Sequence, residues 1–115
     1  MAKLKLTEAQ VTAQIKGWML AKGWHALRLQ SGTVRGLTQG TFMTLNVAGT
    51  PDWLFYKGAS LGQPFAAYLL FVEMKATSKK PSQDQEAWLH RADAARIPAL
   101  WADSLEMFIQ KYEAL

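Results

Sequence analysis

Tyr68-Leu69-Leu70-Phe71-Val72-Glu73-Met74-Lys75 is the stretch on which the fold turns. Its apolar run from Tyr68 to Val72 suits a strand at the centre of a sheet, covered on both faces, better than one at an edge. Charged residues then break the run near its end. Side chains on a strand alternate, so Glu73 and Lys75 share one face about 7 Å apart. A carboxylate and an ammonium side by side on a central strand call for a chemical explanation.

Upstream, Gly49-Thr50-Pro51 is turn chemistry, and Asp52-Trp53-Leu54-Phe55-Tyr56 is aromatic enough for a second strand. Lys57 to Pro64, with Gly58, Gly62 and Pro64, reads as the connecting loop. If the two strands pair antiparallel, Asp52 at the start of one lies beside Glu73 near the end of the other. Two converging carboxylates repel unless a cation sits between them, and hard oxygen donors favour Mg²⁺ or Mn²⁺ over zinc. Lys75 could then hold an attacking water and offset charge building on a phosphate.

The remaining elements frame this pair. Thr7-Glu8-Ala9-Gln10 has the form of a capping box, and Val11, Ile15, Trp18 and Met19 follow at helical spacing until Gly23. His25 to Gln30 alternates as a short half-buried strand with Leu27 and Leu29 on one side. Ser31 to Val47, interrupted by Gly32, Gly36 and Gly40, reads as a loop followed by a strand-like approach around Phe42, Met43 and Leu45. After Thr77-Ser78-Lys79-Lys80-Pro81, a capping box from Ser82 to Gln85 opens a helix whose expected buried face is Ala87, Trp88, Leu89 and Ala92. Pro98 to Trp101 is a last short strand, and Asp103-Ser104-Leu105-Glu106 caps a terminal helix with Leu105, Phe108 and Ile109 inside. The order helix, strand, strand, strand, helix, strand, helix predicts an α/β fold, a mixed central sheet flanked by helices.

Composition bounds the function. At 115 residues the chain is expected to form one domain, residues 1–115. Half of the residues are apolar, which is enough for a core without disulfides, and there is no cysteine, which excludes thiol catalysis and Cys-ligated zinc. The stretch Phe65 to Val72 is far short of the roughly 20 apolar residues of a membrane span, and no signal segment follows the basic start. A cytoplasmic protein with no membrane partner is expected. The net charge of +4 predicts polyanion binding only weakly, but more strongly if several acids are neutralised by a metal.

Taken together, Glu8, Gly49-Thr50-Pro51-Asp52, Phe71-Val72-Glu73-Met74-Lys75 and Ser82-Gln83-Asp84-Gln85-Glu86-Ala87-Trp88 resemble the VRR-NUC branch of the PD-(D/E)xK nuclease superfamily. The pieces come in the family's order over most of the chain. The short length is similar to that of the standalone phage and bacterial members, which are similar to Holliday junction resolvases. The resemblance implies a restriction-endonuclease-like αβββαβ core and a metal-dependent endonuclease acting on DNA, with no nucleotide cofactor. It implies Asp52, Glu73 and the backbone carbonyl of Met74 as metal ligands, with Glu8 reaching the metal directly or through water. Lys75 becomes the residue that positions water, and Gln85 the one that contacts the metal-bound water or the scissile phosphate. Arg28 and Ser31-Gly32 stand where the family has a basic strand and a glycine-containing loop. The stretch from Thr33 to Leu45 departs from the family's pattern.

Lys3, Lys5, Arg28, Arg35, Lys79 and Lys80 fall on the terminus, strand or loops that would border the site and are the cations expected to meet phosphates. One small chain offers one site, so cutting branched DNA on both strands predicts a homodimer with a two-fold axis. Simpler explanations stand beside several of these residues. Glu8 is favoured in a first helical turn by the helix dipole alone, and Gln85 is explained equally by its capping box. His25 and His90 do not make a zinc site, and the tryptophans are expected in the core or an interface. Two other functions remain open on the sequence: a DNA-binding module with a nuclease-like fold and no turnover, and a sequence-specific duplex endonuclease.

Overall fold

The computed structural model describes residues 4–29, 33–35, 42–44, 48–58 and 67–115, with only the backbone of 33–35 and 42–44. Helix α1, Glu8–Ala21, starts at the expected capping box: the Thr7 hydroxyl accepts from the Gln10 amide and the Gln10 side chain accepts from the Thr7 amide. Strands β1 (His25–Arg28), β4 (Trp53–Gly58), β5 (Ala67–Met74) and β6 (Ala99–Ala102) form one mixed sheet in the order β1-β4-β5-β6. β1, β4 and β5 run antiparallel, and β6 lies parallel to β5. The parallel pair is bridged by α2, Gln83–Ala94, and α3, Leu105–Glu113, follows the last strand. The chain is therefore an α/β fold, a mixed four-stranded sheet flanked by three helices, as the sequence predicts.

One face of the sheet carries the core. Phe55, Leu70, Val72, Met74, Leu100 and Ala102 pack there against Val11, Ile15 and Met19 of α1 and Phe108 of α3. Full burial of each of the larger of these side chains stabilises by about 1.5–3 kcal/mol. Trp24 completes this corner by donating its indole N–H to the Tyr112 hydroxyl at 3.2 Å. On the opposite face α2 covers the sheet end, with Trp88 edge-on to Phe71 at 5.1 Å between ring centroids.

Several boundaries and faces differ from expectation. In β1 the core-facing residue is Ala26, paired with the buried Phe55, while Leu27 is 48% exposed on the other face. The larger apolar residues mislead here because the register with β4 puts Ala26, not Leu27, beside Phe55 on the face that meets α1. β4 runs on to Gly58 because Lys57 and Gly58 pair with Tyr68 and Ala67, shortening the expected loop. Within the expected loop from 31 to 47, β2 (Thr33–Arg35) and β3 (Phe42–Thr44) form a separate antiparallel ladder. In α2, Ala87 is exposed, since Gln85, Trp88, Leu89 and Ala92 make the stripe that meets the sheet. In α3, Phe108 is buried, and Leu105, Met107 and Tyr112 pack on the core, whereas Ile109 is only half-buried.

Candidate active site

The end of the sheet where β4 begins and β5 finishes collects the charged residues. The ladder Trp53↔Val72, continued by one residue, sets Asp52 opposite Glu73. Asp52 precedes β4 and is anchored through its carbonyl, which accepts from the Leu29 amide and carries the β1–β4 pairing one step further. Pro51 beside it is fully buried, so the turn entering the strand is fixed.

Glu73 is 2% exposed. Its Oε1 accepts a 2.8 Å hydrogen bond from the Gln85 side-chain amide and lies 3.6 Å from Lys75 Nζ. Its Oε2 is buried with no hydrogen-bond partner. Burial first, and then the charge of Asp52, push its pKa up to about 7; Lys75 and the Asp52 backbone amide pull the other way, and Glu8 adds a smaller upward push. Asp52 and Glu8 thus act on Glu73 electrostatically, although no three His, Cys, Asp or Glu side chains form a compact group among the described residues. Glu8 is exposed at the first turn of α1, on the rim of the site.

Lys75 follows β5 and is half-buried, on the same face as Glu73 as the alternation requires. Its amide donates to the Ala102 carbonyl at 2.9 Å, so the backbone that carries it is still part of the sheet. Met74 points its side chain into the core, leaving only its backbone to serve the site. Gln85 uses three of its groups at once. Its side-chain oxygen accepts from the Ser82 amide, its own amide donates to the Ser82 hydroxyl, and its side-chain nitrogen reaches Glu73.

Two supports were not legible as such from the sequence. Gly49, at a φ of +86°, lies so close to the start of α2 that a Cβ there would overlap the Asp84 carbonyl and come within 2.8 Å of the Gln85 nitrogen. The glycine thereby lets α2 bring Gln85 onto Glu73. Thr77 is buried and ties the segment after Lys75 to the chain before α1: its hydroxyl accepts from the Leu6 amide, and its own amide donates to the Leu6 carbonyl. Long-range pairs of this kind leave no periodic signature.

The expected phosphate-binding cations divide. Arg28 and Asp52 line a common cleft with Glu8. Lys5 is exposed ahead of α1, and Lys79 and Lys80 are exposed in the turn between β5 and α2. Lys3 and the side chain of Arg35 lie outside the described residues, as do Ser31 and Gly32. Lys16, which the sequence did not single out, lines the cleft too, with its ammonium 4.7 Å from the centroid of the Trp53 ring. It recurs eight residues after Glu8 on the same helical stripe, which is the signal that could have found it.

No family model, curated protein or solved structure matches this chain, so its site is read from its own geometry. No helix among the described residues is long and apolar enough to cross a membrane.

Proposed function

We propose that the chain is a divalent-metal-dependent endonuclease of the VRR-NUC type with a restriction-endonuclease-like core, which hydrolyses DNA phosphodiesters in the cytoplasm. The observation that carries this reading is the buried Glu73 carboxylate, held between Gln85 and Lys75 and opposite Asp52. A structural ion pair has no need of a second carboxylate directed at the first, and burial of an acid without a full set of partners is costly.

The residues fit a hard cation. Glu73 offers a buried oxygen with no hydrogen-bond partner, and Asp52 and Glu8 add negative charge around it. Asp52, Glu73 and the Met74 carbonyl would hold Mg²⁺ or Mn²⁺, with Glu8 reaching it through water. Such an ion, when bound, polarises the phosphate and lowers the pKa of a coordinated water.

The chain's own groups do the rest. Gln85 fixes the rotamer of Glu73 while anchored itself by the cap of α2. The Lys75 ammonium, close to Glu73 and partly open to solvent, can donate to a water oriented toward phosphorus and stabilise the extra negative charge of the pentavalent transition state. Water then adds to phosphorus as the bond to the leaving nucleoside oxygen breaks.

One such site cuts one strand, so paired cuts on branched DNA require two copies. Support for a homodimer comes from Leu27, Tyr56 and Leu69, exposed on the sheet face opposite the core. The direct test is cleavage of four-way junction, splayed-arm, linear duplex and single-stranded DNA with Mg²⁺ or Mn²⁺, alongside Lys75→Ala. Paired cuts near the branch point that vanish in the variant are expected. Tight binding without cleavage of any of them would instead indicate a binding module, and sequence-dependent duplex cuts a specific endonuclease.

A further inference from the structure

The cleft beside the carboxylates has a charge order of its own. It has a volume of about 300 Å³, and its α1 wall presents Glu8, Thr12 and Lys16, each four residues after the last and therefore stacked along one stripe. At 1.5 Å per residue, about 12 Å of helix separates the acid from the base. The opposite wall also carries an acid and a base: Asp52 lies next to Trp53, and Arg28 pairs directly across from Trp53 on the same sheet face. The cleft therefore contains an acidic pair, Glu8 and Asp52, and a basic pair, Lys16 and Arg28.

We propose that Lys16 and Arg28 seat a backbone phosphate of the bound strand, adjacent to the phosphate attacked at Asp52 and Glu73. This rests on the nuclease reading and adds to it the course of the strand, along α1. Trp53 keeps Lys16 in place: the ammonium lies over the indole face, where cation–π attraction holds it without neutralising its charge. Among the described residues neither Lys16 nor Arg28 forms an ion pair, so both charges are available to an anion. The planar guanidinium suits two phosphate oxygens at once, and the ammonium acts as a point charge beside it. With Lys16 over its face, Trp53 serves as a floor rather than a stacking platform for a base.

Lys22 supplies the control. Its ammonium lies 4.5 Å from the Trp18 centroid, the same kind of contact at the C-cap of the same helix, but outside the cleft. In a Lys75→Ala background with Mg²⁺, affinity for single-stranded and duplex DNA is measured by fluorescence anisotropy across a salt series. Lys16→Gln and Arg28→Gln are each expected to weaken binding severalfold and to flatten the slope of log affinity against log salt by about 0.7 on single strands and about 0.9 on duplex. Lys16→Arg is expected to restore the slope, and Lys22→Gln to leave it unchanged. Cleavage by the otherwise wild-type chain is followed in parallel. If it cuts DNA while Lys16→Gln and Arg28→Gln behave like Lys22→Gln, the phosphate seat is overturned and the nuclease reading stands. If the slopes fall as expected but nothing is cut, the seat stands and the nuclease reading falls. A chain that neither binds nor cuts overturns both.

Discussion

Gln85 Nε2 donates to Glu73 Oε1 at 2.8 Å while Gln85 Oε1 accepts from the Ser82 amide at 2.8 Å. One amide therefore couples the start of a helix to the carboxylate at the end of the central strand, and its two ends are not interchangeable. Gln85→Glu keeps an acceptor for Ser82 but sets a negative charge against Glu73. At pH 8 it is expected to be less stable in urea unfolding than Gln85→Ala, and the order should reverse or close at pH 5, where Glu73 is protonated.

Glu73 itself sets a pH dependence. Its folded pKa of about 7 lies above the ordinary 4.5, so the folded metal-free chain binds a proton more tightly than the unfolded one. The associated stability is fully present below pH 4.5 and is lost as pH rises through 7, a change of roughly 3 kcal/mol if the whole shift is realised. Chemical denaturation in EDTA between pH 5 and 8 is expected to show this fall. Glu73→Gln, which stays neutral, should flatten it. Equal slopes for the two proteins would place the titration elsewhere.

Metal should compete with that proton. At pH 6.5 binding of Mn²⁺ is expected to release about three-quarters of a proton in the native chain, and much less in Glu73→Gln, whose affinity should also fall. Calorimetry in two buffers of different ionisation enthalpy reads the number directly.

Lys75→Ala is expected to reduce cleavage by at least about a hundredfold, the cost of removing one transition-state donor. Because Lys75 lowers the Glu73 pKa, the same variant should move the stability transition to higher pH. That second readout separates a folded, electrostatically altered site from a collapsed one.

Gly49→Ala tests the close approach of the turn to α2. A methyl group must displace the Asp84 carbonyl and strain a positive φ, so a loss of more than about 1 kcal/mol is expected, together with reduced cleavage as Gln85 moves off Glu73. A fully active and stable Gly49→Ala would show that the helix start tolerates the shift.

Much of this arrangement is visible in the residues alone. Asp52 facing Glu73, and Glu73 sharing a face with Lys75, follow from strand alternation and an antiparallel pairing, and the three helix starts follow from the capping boxes at Thr7 and Ser82 and from the stretch Asp103-Ser104-Leu105-Glu106. What local pattern conceals is contact between distant segments. Leu27 looks like a core residue until the register with β4 sets Ala26 beside the buried Phe55, and Ala87 looks buried until the face that α2 turns to the sheet is known. Lys16 shares a helical stripe with Glu8, but that spacing gains meaning only from the placement of Trp53 beneath it. The capping role of Gln85 is legible; its bond to Glu73 requires the crossover that brings α2 back over β5.

At the far side of the sheet, the Lys111 ammonium donates to the Trp101 carbonyl at 2.8 Å and lies 4.1 Å from the Trp101 ring centroid. Phe71 and Lys75 of the β5 side take the Pro98 and Ala102 carbonyls, so the alternation of a parallel ladder turns Trp101's carbonyl outward. An outward strand edge is a template for unwanted pairing, and a lysine across it is a guard. Burial already lowers the Lys111 pKa, which means the charge is held there at a cost to the lysine. Lys111→Met would keep the bulk and remove the guard, and concentrated solutions of that variant should cloud or form sheet-rich aggregates where the native chain stays clear.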